Sequence, residues 1–89
     1  MKAVITVLGK DMVGILSKIS LACTDRHANI IEITQSVMQD LFAMIMLVDI
    51  SKLNSSFTSF SEELQQAGKE MNLVVHVMHE DIFNAMHTI

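Results

Sequence analysis

The stretch Val7-Leu8-Gly9-Lys10-Asp11-Met12-Val13-Gly14-Ile15-Leu16 decides the fold of this chain. Before the two glycines, apolar and more polar residues alternate over positions 2–8, which is the period of a β-strand. After the second glycine, Ile15, Ile19 and Cys23 recur at the spacing of an amphipathic helix. The stretch therefore predicts a strand, a turn bounded by two glycines and a helix, with Asp11 as the expected N-cap of that helix.

The next residues predict two strands that form a hairpin. Positions 30–37 are rich in β-branched residues, and Gln39-Asp40 interrupts the apolar pattern before positions 42–50. The third strand is apolar on both faces, so we expect it to be central and to be covered on both sides.

A second helix and a fourth strand follow. Asn54-Ser55-Ser56 supplies capping residues, and one apolar face then recurs at helical spacing, formed by Phe57, Phe60, Leu64, Ala67 and Met71. Gly68 is expected to weaken this helix or to end it early. Leu73, Val75 and Val77 alternate with Val74, His76 and Met78, which predicts a last strand. The pattern of residues 80–89 predicts a short terminal amphipathic helix.

This order predicts an α+β fold of the ferredoxin-like βαββαβ type, with a four-stranded antiparallel sheet, two helices on one face and a short C-terminal helix. The 89 residues are expected to form one domain, 1–89. One layer of helices leaves the other apolar face of the sheet bare, so we expect the terminal helix or a second subunit to cover it. A homodimer is therefore expected.

Composition excludes several classes of function. The chain has six Lys and Arg but ten Asp and Glu, and it has no Tyr or Trp. This composition argues against a nucleic-acid partner. No apolar run is long enough for a bilayer, and Cys23 is the only cysteine, so a disulfide-stapled secreted fold is excluded. We expect a cytoplasmic protein with no membrane partner.

Catalytic and metal-binding signatures are weak. Gly9 and Gly14 have the spacing of a phosphate loop, but Ile15 and Leu16 stand where Lys and Ser or Thr are required. His76 and His79 lie three residues apart, which on a strand sends them to opposite faces. Cys23 lies on an apolar helix face without a base. We therefore expect no enzyme, no cofactor and no metal.

The turn and the junction Ala28-Asn29-Ile30 resemble an ACT domain, and the resemblance covers the whole chain. The length and the ending Ile82-Phe83-Asn84-Ala85-Met86 are similar to those of small stand-alone ACT proteins found in bacteria. Val13 stands where many members have proline. The resemblance implies a regulatory module that binds a small molecule, usually an amino acid, at a subunit interface.

The resemblance also implies the site, which is built from the first turn and the start of the second strand. The residues it implicates are Asp11, Met12, Val13, Gly14, Ile15, Asn29 and Ile30. Backbone N–H groups near Gly14 suit a ligand carboxylate, while Asp11 or Asn29 oxygens suit its ammonium group. Two alternatives stay open: Asp11 caps the helix and fills the anion site itself, and Asn29 only adopts an unusual backbone angle.

Two classes of function remain. The first is a dimeric amino-acid sensor that signals through its interface or through a regulated protein partner. The second is a ligand-free module for protein interaction or oligomerisation, in which the bare sheet face or an edge strand binds the partner.

Overall fold

The computed structural model describes residues 1–10 and 14–86 and confirms the ferredoxin-like fold. The elements in chain order are β1 (Lys2–Gly9), α1 (Ile15–Asp25), β2 (Asn29–Met38), β3 (Leu41–Asp49), α2 (Phe57–Glu70), β4 (Val74–His79) and α3 (Glu80–Met86). Gln39 and Asp40 connect β2 to β3 as a two-residue hairpin, in which Gln39 has a φ of 56°. Residues 87–89 of the predicted terminal helix lie outside the described residues.

The four strands form one antiparallel sheet in the order β2-β3-β1-β4. At one end, Asp49 pairs with both Lys2 and Asn29. We call this end of the sheet the lower end. At the other end Gly9 pairs with Phe42, and we call this the upper end. Seven residue steps of about 3.3 Å place the two ends about 23 Å apart.

Helices α1 and α2 cover one face of the sheet and enclose the core. Alternate residues of β1 and β3 point into this core, as their period of two requires. Phe60 of α2 is the largest of the side chains that are fully buried. The other fully buried large residues include Ile5, Ile15, Ile19, Met44, Met46 and Leu64. The predicted apolar face of α2 is confirmed, and Ser56 caps this helix by accepting a 3.0 Å hydrogen bond from Ser59 N.

Gly68 lies inside α2 and does not end it. The helix continues to Glu70, and a Cβ atom at position 68 would collide with the Cγ2 atom of Val75. The glycine therefore lets α2 pack closely on β4, which a sequence pattern for the helix alone does not reveal.

The face of the sheet that points away from α1 and α2 is only partly covered. We call it the outer face, and its central positions are Val4, Thr6, Leu8, Ile45, Val74 and His76. Helix α3 packs against β1 and β4, and Val4 is buried there although it lies outside the main core cluster. Ile45 of β3 stays 43% exposed. Strand β3 is central in the sheet, as predicted, and within the described residues its outer face is left partly exposed, so its cover by a second subunit stays a prediction.

Strand β2 is a long edge strand, and its pairing with β3 shifts register between Ile30 and Glu32. It has ten residues, most of them exposed, and its one charged residue is Glu32. Exposed apolar side chains lie along it, including Ile31, Val37 and Met38, the last of which is 62% exposed. Edge strands usually carry proline, lysine or short lengths that prevent pairing with another chain, and β2 has none of these.

Candidate functional site

The N-cap residue of α1 is a glycine. Gly14 is the N-cap, with φ 75° and ψ −3°, and its carbonyl accepts the first helical hydrogen bond from Lys18 N at 3.0 Å. The prediction of Asp11 as the N-cap is wrong, because the helix begins at Ile15. Gly14 has no side chain that could accept from the first helical N–H groups, and the side chains of residues 11–13 lie outside the described residues.

Gly14 is required by its backbone conformation. Its φ of 75° lies in the left-handed region of backbone conformation, which residues with a Cβ atom rarely adopt. Among the described residues, the nearest neighbour of a Cβ atom at position 14 would be Met71 Cε, at 4.0 Å, so the backbone angle and not crowding sets the requirement. Ile15 is fully buried in the core. Its side chain is therefore structural, and only its backbone can contact a ligand.

Asn29 and Ile30 lie at the opposite end of the sheet from Gly14. Asn29 is the exposed first residue of β2 and pairs with Asp49 at the lower end, while Ile30 is half-buried against the core. Gly14 follows β1 at the upper end, about 23 Å away by strand length. One chain therefore does not bring the two halves of the predicted site together. Asp11, Met12 and Val13, which complete the prediction, lie outside the described residues.

A polar cleft of about 330 Å³ adjoins Asn29 at the lower end, and the sequence pattern did not predict it. His27, Asn29, Asp49, Ser51 and Lys52 line it. We call this the lower cleft. In the sequence, this cleft was indicated only by the polar residues that follow the apolar third strand. The antiparallel pairing of β2 with β3 places these residues beside Asn29.

Hydrogen bonds fix the acidic side of the lower cleft. Asp49 Oδ1 accepts from Ser51 N at 2.8 Å, and Ser51 Oγ accepts from the Met1 ammonium group at 3.0 Å. Hydrogen bonds from Ser51, first from its hydroxyl and then from its backbone, lower the pKa of the Asp49 carboxyl below its usual value. Asp49 is therefore a fixed carboxylate at neutral pH.

His79 and Cys23, two other chemical candidates, have structural roles. His76 is exposed on the outer face, whereas His79 stacks on Phe57 with ring centroids 4.1 Å apart, so the prediction that they lie on opposite faces is confirmed. Cys23 is fully buried, and this burial raises the pKa of its thiol to about 11, which makes it a poor nucleophile. Within residues 1–10 and 14–86, no three His, Cys, Asp or Glu side chains are grouped so that they could hold a metal ion.

The fold, the glycine-capped helix and the polar lower cleft define a small α+β domain of the ferredoxin-like class. A family model of the ACT domain matches residues 2–78. The chain belongs to the ACT domain family. No helix among the described residues is long and apolar enough to cross a bilayer.

Similar proteins come from archaea and bacteria. A UPF0237 protein of Methanopyrus kandleri is 48% identical over 99% of this chain and 98% of its own length. A UPF0237 protein of Listeria innocua is 39% identical, with full coverage of both chains. The solved structure of an ACT domain protein from Streptococcus pneumoniae superimposes with a TM-score of 0.81 at 34% identity, covering 93% of each chain.

Proposed function

We propose that this protein is an amino-acid-binding regulatory domain that acts as a homodimer. The ligand carboxylate would lie at the turn 11–14 and the amino end of α1 of one subunit. Asn29 and Ile30 of the other subunit would complete the site. The observation that carries this proposal is the glycine cap of α1, which leaves the first helical N–H groups without a side-chain acceptor from the N-cap.

Membership in the ACT domain family supports the choice of ligand. Domains of this family often bind amino acids in regulation, and the family model spans most of the chain. An amino acid also fits the chemistry of the two halves. Helical N–H groups are donors for its carboxylate, and the side-chain oxygen of Asn29 is an acceptor for its ammonium group.

The β2 edge offers a way to join the two halves of the site. If two copies pair antiparallel along β2, the lower end of one strand lies beside the upper end of the other. Asn29 would then lie at the same end of the joined sheet as Gly14 of the partner subunit. The separation of these residues within one chain and the bare edge strand thus support the same arrangement.

Regulation would follow from thermodynamic linkage. A ligand that contacts both subunits stabilises one subunit arrangement, and by reciprocity any protein partner that prefers this arrangement strengthens ligand binding. This role needs only binding, since the ligand is held by backbone donors and one side-chain amide.

Thermal unfolding against a panel of amino acids tests the proposal. At a ligand concentration about 100 times its dissociation constant, binding adds roughly 2.7 kcal/mol to the free energy of unfolding. Each kcal/mol raises the midpoint of a domain of this size by about 4 to 8 °C. We expect one amino acid, or a chemically related few, to raise the midpoint by more than about 4 °C at fixed protein concentration.

Two variants locate the site, and one variant serves as a control. Gly14→Val forces a side chain into a left-handed backbone, and Asn29→Ala removes the amide, so each is expected to abolish the shift while the dimer persists. Gln65→Ala, on the exposed face of α2, is expected to keep it. A flat panel for the wild-type protein would reject the sensor and favour the ligand-free interaction module.

A further inference from the structure

The register shift in β2 divides this edge strand into two unequal parts. Ile30 pairs with Val48 and Glu32 pairs with Leu47, so Ile31 is an extra residue in the pairing with β3. The residues from Glu32 to Met38 then pair with β3 without a further shift. A regular ladder needs a strand without extra residues. Residues 32–38 are therefore the part of the free edge on which another strand can pair.

The side chains of this segment lie on two faces, and each face has a symmetric order about Gln35. The residues opposite the buried side chains of β3 point toward the core, and they are Ile33, Gln35 and Val37. The residues on the outer face are Glu32, Thr34, Ser36 and Met38. On the core side an amide lies between two apolar residues. On the outer face two hydroxyl residues lie on either side of the same centre.

Twofold symmetry restricts how two copies of this segment can pair. In an antiparallel pair of identical strands the symmetry axis is perpendicular to the sheet, so each residue lies opposite a residue of the same face. Every allowed register therefore places one residue opposite itself, and a slip by one residue would exchange the two faces. A register centred on Gln35 pairs all of residues 32–38. A register centred on Thr34 or on Ser36 pairs only residues 32–36 or 34–38.

The residue types favour the register centred on Gln35. In it, Ile33 lies opposite Val37 of the partner subunit, and Thr34 lies opposite Ser36 of the partner subunit. Apolar pairs and pairs of hydroxyl residues both stabilise antiparallel strands. A register centred on Thr34 places Ile33 opposite the partner's Gln35, and a register centred on Ser36 places Gln35 opposite the partner's Val37. Both alternatives place an apolar side chain opposite an amide.

The charge on the edge favours the same register. Glu32 is the one charged residue of β2. In the register centred on Gln35, Glu32 lies opposite Met38 of the partner subunit, and the two Glu32 residues of the dimer are about 20 Å apart along the strands. This distance exceeds the screening length of about 8 Å at physiological ionic strength, so the two carboxylates repel each other little.

We infer that a second copy of this chain pairs along residues 32–38 in one register, with Gln35 opposite Gln35 of the partner subunit. This inference rests on the proposed function and specifies the interface of its homodimer. Beyond the paired segment, Asn29 lies beside the Gln39-Asp40 hairpin of the partner subunit. This hairpin is at the upper end of the partner's sheet, which is also the end where the partner's turn 11–14 follows β1.

The test places single cysteines on the β2 edge and measures how fast two chains become linked. Directly opposite residues have Cα atoms about 4.5 to 5.5 Å apart, which suits a disulfide, whereas diagonal neighbours are about 7 to 8 Å apart. The variants are Gln35→Cys, Thr34→Cys and Ser36→Cys, all at exposed positions. Wild-type protein controls for Cys23, which is buried. Oxidised glutathione starts the reaction, and non-reducing gels follow it, with N-ethylmaleimide present when detergent is added.

We expect Gln35→Cys to form linked dimers at least about tenfold faster than Thr34→Cys or Ser36→Cys alone. A mixture of the Thr34→Cys and Ser36→Cys proteins, after subunit exchange, is expected to link as well, because these positions lie opposite each other. This second result does not depend on a change at Gln35.

Fastest linkage by Thr34→Cys or Ser36→Cys alone would overturn the register. If no sample becomes linked, β2 is not the interface, and the inference is overturned as well. Amino-acid binding is measured separately by the midpoint shifts of the wild-type protein, so the proposed function stands or fails on its own result.

Discussion

Phe60→Ala is expected to lower the free energy of unfolding by about 3 to 5 kcal/mol. Phe60 is fully buried where α2 packs on the sheet, so its removal takes apolar surface from the core and leaves a cavity. A domain of this size has a total stability of roughly 4 to 13 kcal/mol, so the loss is a large part of it. Urea unfolding monitored by circular dichroism measures the effect directly.

Two further variants show whether packing is the cause. Phe60→Leu keeps most of the volume and is expected to cost less than about 1.5 kcal/mol. Leu21→Ala removes an equally apolar side chain from α1, but Leu21 is 63% exposed, and a change within about 0.5 kcal/mol is expected. A loss below about 1 kcal/mol for Phe60→Ala would show that α2 does not pack on the sheet as described.

Ile31→Lys combined with Val37→Lys is expected to raise the dissociation constant of the dimer by about 100-fold or more. Both side chains are apolar and exposed on the β2 edge in the single chain, so the fold itself should change little. In a β2-paired dimer the substitutions replace apolar contacts with four buried or opposed charges, which costs several kcal/mol. Analytical ultracentrifugation over a concentration series measures this constant.

Ile82→Lys provides a matched control for this double variant. Ile82 lies on α3 and is 53% exposed, which is close to the exposure of Val37, but α3 packs on the β4 side of the sheet. The control should therefore leave the dimer intact. If Ile82→Lys dissociates the dimer and the β2 variant does not, the subunits associate through the α3 side instead of the β2 edge.

Most of the fold could be predicted from local patterns. The alternation in β1, the helical spacing from Ile15 to Cys23 and the cap at Ser56 are signals that adjacent residues carry by themselves. Once the order of helices and strands was known, few antiparallel arrangements remained for so short a chain. The apolar face of α2 and the opposite orientations of His76 and His79 followed from the same periodicities.

The errors came from interactions between distant parts of the chain. Gly68 was expected to weaken α2 or to end it early, because a helix pattern contains no information about Val75 on β4. Asp11 was a reasonable cap by residue type, but Gly14 takes the left-handed angle and starts the helix three residues later.

The candidate site shows the same limit. The sequence pattern marked Gly14 and Asn29 but contained no information that they lie at opposite ends of one sheet. It also left out Asp49 and Lys52, which approach Asn29 only through the register of β2 and β3. Residue type marked both halves of the proposed site, and the topology places Gly14 and Asn29 at opposite ends of one sheet, so the proposal joins them with a second subunit.

The measurement that tests the two-subunit site most directly uses mixed dimers of two defective chains. Gly14→Val and Asn29→Ala homodimers are each expected to bind no amino acid, because both of their sites carry a defect. A heterodimer of the two variants has one site with both defects and one site with none. Calorimetric titration, with the amino acid that shifts the wild-type protein most, is expected to give one site per heterodimer at wild-type affinity. A site contained within one chain would leave every chain defective, so a heterodimer that binds nothing would contradict the account.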